Sequence, residues 1–239
     1  MLINNIVDIH AHIIPGVDDG AKNTMESIKL LKDLKMQGVG CVYATPHFYR
    51  PKQSFEEYFE NVDKAWAELL EATKGKGLPE LRRGYEIHAF RGMSTCENLK
   101  KMCLENSHYI LIELPYNCAI DNWVANELYN IQFTLGLKPI IAHIERYFGY
   151  AGFDKVMELV YDEDVRTQIT SSALNIGYNI RKKILKLINS GHIHFIASDA
   201  HSMTARRGMF AKANEIIAKK CGKETLLKLY ARSREMMGC

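Results

Sequence analysis

The sequence predicts an α/β fold whose parallel sheet curls into a barrel, and three observations carry that prediction. Seven short apolar, β-branched runs occur along the chain, and most are separated by longer stretches of helical periodicity. Several runs are almost continuously apolar, as burial on both faces of a sheet requires. The length, 239 residues, suits an α/β barrel read as one domain over residues 1–239. A doubly wound open sheet is the second arrangement compatible with the same alternation.

The elements follow in order. "NIVDIH" reads as the first strand. Asn23 followed by Glu26 has the spacing of a capping box, opening a helix that runs to residue 37 and stops at Gly38. "VGCVYAT" is the second strand, and Ser54 with Glu57 starts a helix that ends near "KGKG" around Gly75. "LRRGYEI", "YILIEL", "KPIIAH", "RTQITS" and "IHFIAS" complete the strands. Helical periodicity covers 97–106, 121–135, 153–161, 180–189 and 203–220. Strand–helix–strand order with right-handed crossovers makes the sheet parallel.

Composition excludes several functions. The chain is 47% hydrophobic and 25% charged, and its net charge of +3 is dispersed, so nothing in it marks a nucleic-acid or membrane-surface binder. No run reaches the roughly 18–20 apolar residues of a membrane-spanning helix. The start lacks the basic and apolar regions of a secretory leader. Six cysteines (Cys41, Cys96, Cys103, Cys118, Cys221 and Cys239) form no C-x-x-C pair, and free thiols in a cytoplasmic protein are expected. None is followed by arginine at the C-x5-R spacing of thiolate phosphatases.

The polar residues coincide with the strand ends. His10 and His12 close the first strand, His47 follows the second, and Glu86, Glu113 and His143 end the next three. Asp199 and His201 close the last. In a parallel barrel the carboxyl ends converge on one face, so residues nearly 200 positions apart can meet there. H-x-H on a strand turns both rings to one face. Imidazole and carboxylate without thiolate suit Mn, Fe or Zn. Metal would offset the cost of burying Glu86 and Glu113 at the ends of apolar strands, as would a structural salt bridge to arginine. Asp18 and Asp19 cannot be separated by spacing. His192 and His194 repeat the H-x-H spacing but open the last strand, at the opposite end, and read as structural, as do His88 and His108. Asp8, two residues before His10, fits either support of a ligand histidine or a core hydrogen bond.

"DIHAHIIPGVDDGA", "ATPH", "YEI", "LIELP", "IAHIERY" and "IASDAH", in this order, resemble the polymerase and histidinol phosphatase (PHP) superfamily. Within it the chain is most similar to the bacterial protein-tyrosine phosphatases of the CpsB/CapC/YwqE type, associated with capsule and exopolysaccharide synthesis. The resemblance implies a distorted (β/α)7 TIM-like barrel with three ions, typically Mn or Fe. It assigns His10, His12, Glu86 and Asp199 to one ion, with Glu86 bridging to a second held by Glu113 and His143. Asp19, His47 and His201 go to the third. Arg146, in "AHIER", and Arg206, in "DAHSMTARR", match the arginines that hold phosphate, with Arg207 standing beside the second. The implied activity is hydrolysis of phosphotyrosine by a hydroxide held between metal ions, on a protein partner such as a bacterial tyrosine kinase. A different PHP phosphoesterase, such as histidinol phosphatase, or a non-catalytic partner of the kinase are the alternatives. Glu145 is a further candidate for support of the site. "FYRP" after His47 and Thr170 in "ITSSALN" depart from the family pattern.

Overall fold

The computed structural model describes residues 3–50, 52–115, 122–149 and 153–239. Cys118 and the first position of the helix expected over 121–135 lie outside the described residues.

The fold is α/β with a curled parallel sheet. Strand β1 (Ile6–Ala11) pairs with β2 (Val39–Ala44), and β2 pairs with β4 (Glu80–Arg83). The second sheet runs β3 (His47–Phe48), β5 (Glu86–His88), β6 (Tyr109–Glu113), β7 (Lys138–Ile141), β8 (Arg166–Thr170) and β9 (Phe195–Ala197). Every pairing is parallel. A parallel bridge from Ala11 to Ala200, with His12 N–H on Ala200 O and Asp199 N–H on His10 O, joins the first strand to the segment after the last.

Two expected strands are interrupted. "VGCVYAT" ends at Ala44, and Thr45–Pro46 separates it from β3. Proline carries no N–H for the ladder, which accounts for the break. "LRRGYEI" splits at Gly84–Tyr85 into β4 and β5. A Cβ on Gly84 would stand 2.5 Å from Leu104 Cδ2 and 3.1 Å from Thr45 Cγ2, so a larger residue there would have to displace the Leu104 side chain.

Helices α1 (Thr24–Met36), α2 (Phe55–Thr73), α3 (Asn122–Asn130), α4 (Phe153–Val160), α5 (Tyr178–Asn189), α6 (Phe210–Lys220) and α7 (Lys223–Met236) lie along the chain between or after these strands. Ser54 and Glu57 form a reciprocal capping box on α2. At α1, Asn23 accepts from Glu26 N–H, but the Glu26 carboxylate accepts from Lys22 N–H instead of closing the box. The helix expected over 97–106 is a 3-10 helix, Glu97–Met102, because Asn106 takes positive φ (60°) and Leu104 N–H bonds to Tyr109 O. The α3 segment continues as one π turn, Ile131–Leu135, ending at Gly136 with φ 68°. The helix expected over 203–220 begins only at Phe210. Before it, Ser202 Oγ accepts from Ala205 and Arg206 N–H, and the local side-chain bonds hold a loop in place of a first helical turn.

Alternate residues of the strands separate two apolar clusters. Ile6, Val42, Ile110, Ile112, Ile141, Ile169 and Ile196 pack toward the helices. Val7, Ile9, Cys41, Tyr43, Leu111, Ile140, Ala142, Phe195 and Ala197 form a smaller cluster within the curl. The polar strand ends sit just beyond this inner cluster, as Leu111 precedes Glu113 and Ala197 precedes Asp199 by one alternation.

Candidate metal centre

The carboxyl ends of the strands bring nine side chains together. His10 and His12 face one another with Nε2 atoms 3.0 Å apart, and both Nε2 atoms lie 3.2 Å from Glu86 Oε2 and 3.5 Å from Asp199 Oδ1. His143 Nε2 stands 2.9 Å from Glu86 Oε1 and 3.5 Å from Glu113 Oε1. His47 reaches Glu86 Oε2 with Nδ1 at 2.8 Å and Asp19 Oδ1 with Nε2 at 3.5 Å. His201 Nε2 is 3.3 Å from the same Asp19 oxygen. Seven of these nine residues are buried; His47 is partly buried, and the Asp19 side chain is 63% exposed.

The rings are held from behind. His10 Nδ1 donates to Gln168 Oε1 at 3.1 Å, His12 Nδ1 to Asp18 Oδ2 at 2.7 Å, and His201 Nδ1 to the Asp199 carbonyl at 3.0 Å. Tyr147 OH meets His143 Nδ1 at 3.3 Å. With Nδ1 occupied in this way, each ring directs Nε2, the atom available as a ligand, toward the carboxylates. Two of the strand ends carry left-handed residues, His143 at φ 32° and Asp199 at φ 51°. Such conformations persist where surrounding bonds over-determine them, here His143 N–H on Gln168 Oε1 at 2.8 Å and Asp199 N–H on His10 O.

The donor set fits divalent metal. His47 Nδ1, Glu86 Oε2 and His201 Nε2 are buried without a hydrogen-bond partner, although His47 Nδ1 and Glu86 Oε2 approach within 2.8 Å. Unpaired buried polar atoms are costly, and a cation among them removes the cost. Three overlapping groups have donor atoms within 4.8 Å of one another: His12, Asp19, His47 and His201; His10, His12 and Glu86; and His47, Glu86 and Glu113. The grouping overlaps the one implied by family resemblance, with His12 and His47 each standing between two positions. Charge is tightly coupled here. Burial opposes ionisation of Glu86 and Asp199, but His10 beside them holds both well below the usual carboxylate range. Burial and the neighbouring His12 push His201 down to about 3, keeping it neutral.

Asp18 and Asp19 separate clearly. Asp18 anchors His12, and it also accepts from Gly20 N–H at 2.9 Å and His47 N–H at 3.0 Å. Its carboxyl is held far below the normal range against burial, chiefly by His12. Asp19 alone faces the His47 and His201 rings. A Cβ on Gly20 would lie 2.2 Å from His12 O, which explains the glycine in "GVDDG".

Arg146 and Arg206 both meet Asp199. Arg146 Nη2 contacts Oδ2; Arg206 Nη2 is 3.0 Å from Oδ1 and 2.9 Å from Oδ2, and its Nη1 is 3.4 Å from Asp19 Oδ2. Arg207 turns away to Asp33 on α1, with contacts of 3.1 and 2.8 Å. A cleft of about 540 Å³, lined by Arg146, Ser172, Asp199, Met203, Arg206 and Met209 among others, opens beside the centre.

Other residues have different places. His192 and His194 lie at the far end of the strands, where His194 Nδ1 accepts from Thr167 N–H at 3.2 Å, and His108 contributes a backbone carbonyl to Lys138. The Asp8 carboxylate takes the backbone N–H of Ser198 at 2.8 Å rather than a ring nitrogen, and burial pushes it up to about 6. Buried Glu145 braces Thr170 through both its N–H and its hydroxyl. Reading the sequence assigned no role to Gln168, which joins His10 to His143, and His88, expected to be structural, instead meets the centre with its Nδ1 3.2 Å from Glu113 Oε2. Two signals pointed to them: Gln168 is a polar residue inside an apolar strand, and His88 follows Glu86 by one strand alternation.

Known proteins resemble the chain over most of its length. The family model described as "Capsular polysaccharide synthesis, CpsB/CapC" matches residues 6–237. The putative tyrosine-protein phosphatase CapC of Staphylococcus aureus is 36% identical over 84% of this chain and 79% of its own length. The tyrosine-protein phosphatase CpsB of Streptococcus pneumoniae is 32% identical, covering 94% of this chain and 95% of its own. A solved chain from work on YwqE of Bacillus subtilis and CpsB of S. pneumoniae, described as metal-dependent tyrosine phosphatases, superposes with TM-score 0.78 at 27% identity, covering 97% and 94%.

Proposed function

The chain belongs to the CpsB/CapC family of capsular polysaccharide synthesis, and from that membership we propose that it is a metal-dependent protein-tyrosine phosphatase. The observation that carries the reading is the convergence of nine imidazole and carboxylate groups with two arginines beside one open cleft. The fold is read as a distorted (β/α)7 barrel of the PHP type spanning one domain, 1–239. Gly84 N–H on Ala44 O and Glu86 N–H on Pro46 O support counting β2 with β3, and β4 with β5, as single interrupted strands.

Three ions, Mn or Fe with Zn as a further option, would be held by His10, His12, Glu86 and Asp199; by Glu86, Glu113 and His143; and by Asp19, His47 and His201. Bound there, divalent ions supply Lewis acidity and lower the pKa of water from roughly 16 to about 7. The chain supplies the rest. Arg146 and Arg206 present guanidinium N–H groups at the cleft, suited to paired hydrogen bonds with phosphoryl oxygens. The anchored rings and carboxylates need little rearrangement as charge develops on the transferring group. A tyrosyl leaving group, with pKa near 10, departs with less protonation than a serine alkoxide.

The substrate is phosphotyrosine on a protein, for which the tail of a bacterial tyrosine kinase is the proposed partner, and the setting is cytoplasmic. Among the described residues no helix is long and apolar enough to cross a membrane. The test is hydrolysis of a phosphotyrosine peptide against histidinol phosphate, with metal analysis of the same sample. Preference for histidinol phosphate would assign the protein to another branch.

A further inference from the structure

Three side chains stand in a row across neighbouring strands at the edge of the centre. In the parallel register His47 faces Glu86 and Phe48 faces Ile87, so Tyr49 continues the row at the level of His88, and His88 faces Glu113. Both neighbours reach one oxygen: His88 Nδ1 is 3.2 Å from Glu113 Oε2, and the Tyr49 hydroxyl is 3.4 Å from it. The Tyr49 and His88 rings lie 5.2 Å apart, which keeps the pair together. The other oxygen, Oε1, lies 3.5 Å from His143 Nε2, while Oε2 also stands 4.0 Å from His47 Nδ1.

We propose that His88, seconded by Tyr49, is a positioning residue that fixes the Glu113 carboxylate toward the ion position it shares with Glu86 and His143. The inference rests on the metal-dependent reading above. A glutamate's terminal torsion is broad, so a carboxylate at a strand end does not by itself choose which oxygen faces a cation. Donors on Oε2 make that choice and leave the Oε1 lone pairs directed inward. Such outer partners of a ligand govern metal affinity as well as geometry. His88 is also replaceable without opening a core, since its side chain is 27% exposed while that of Glu113 is 3% exposed.

The test is calorimetric titration of chelator-stripped protein with Mn²⁺, with bound metal counted by elemental analysis and the melting temperature of the stripped protein recorded. His88→Ala should weaken one class of site, the class that Glu113→Gln removes, by about 10- to 100-fold, with the melting temperature unchanged. His88→Asn, whose amide nitrogen takes the place of Nδ1, should restore most of the loss, and Tyr49→Phe should show a smaller loss at the same site. A wild-type isotherm for His88→Ala, or His88→Asn as weak as His88→Ala, overturns the inference and leaves the metal reading standing. Wild-type protein that takes up no divalent metal overturns the reading itself.

Discussion

Replacing Gln168 by methionine removes one acceptor and leaves the shape nearly unchanged. Gln168 Oε1 accepts from His10 Nδ1 at 3.1 Å and from the His143 backbone N–H at 2.8 Å, inside a strand with no solvent access. The backbone donor fixes that atom as the oxygen, because an amide nitrogen has no lone pair to offer. In Gln168→Met two buried donors lose this acceptor, and each such group costs about 1–3 kcal/mol. The amide nitrogen of Gln168 is itself buried without a partner, and its removal offsets one of those costs. The net loss is about 1–3 kcal/mol, which for a chain of this size lowers the melting temperature by roughly 2–12 °C. The same change frees the His10 ring and the left-handed His143 backbone, so metal affinity should fall by about 10- to 100-fold. Thermal unfolding of stripped protein and Mn²⁺ titration measure the two effects separately. A variant with wild-type stability and wild-type affinity would refute the idea that second-row hydrogen bonds set this centre.

Asp18→Ala should cost about 2–4 kcal/mol in urea unfolding, since His12, Gly20 and His47 all lose an acceptor. Asp19→Ala should keep wild-type stability and lose bound metal; equal stability losses in the two variants would contradict the separation. Arg206→Ala should lower kcat/KM for an aryl phosphate by about 100-fold or more, whereas Arg207→Ala, whose guanidinium is paired with Asp33 at the cleft wall, should leave turnover intact. Burial, with Arg166 and Arg232 nearby, pushes His194 down from 6.5 to about 4. The unfolded chain therefore binds the extra proton between those values, so this contribution is complete above pH 6.5 and is lost as pH falls toward 4. Allowing for solvent access to the ring, the loss is about 1–2 kcal/mol. His194→Gln should flatten the decline of stability from pH 7 to 4.5, and an unchanged slope would sink the assignment.

The polar strand ends were legible because their chemistry contrasts with the apolar runs before them. His10, His12, Glu86, Glu113, His143 and Asp199 each interrupt or close a stretch that would otherwise be buried hydrocarbon. Ser54 with Glu57 was equally plain, since capping depends on residues three apart. The break at Gly84–Tyr85 was hidden, because Gly84 packs closely against Leu104, a contact no local pattern records. The loop before α6 read as helix because its periodicity is helical, whereas the Ser202 side-chain bonds and the His201 and Ser202 N–H bonds to Arg206 O hold it as a loop. The roles of Gln168 and of His88, which read as structural, were hidden for a related reason. They act across strands on His10 and Glu113, 158 and 25 positions away, and sequence spacing carries no register between parallel strands.

One measurement bears most directly on metal-dependent phosphotyrosine hydrolysis. Purified protein is stripped with chelator, reconstituted stepwise with Mn²⁺, and assayed on a phosphotyrosine peptide while bound metal is counted at each step. The expected result is no hydrolysis after stripping and a rise in rate that follows metal occupancy. Hydrolysis at the full rate by metal-free protein would contradict it.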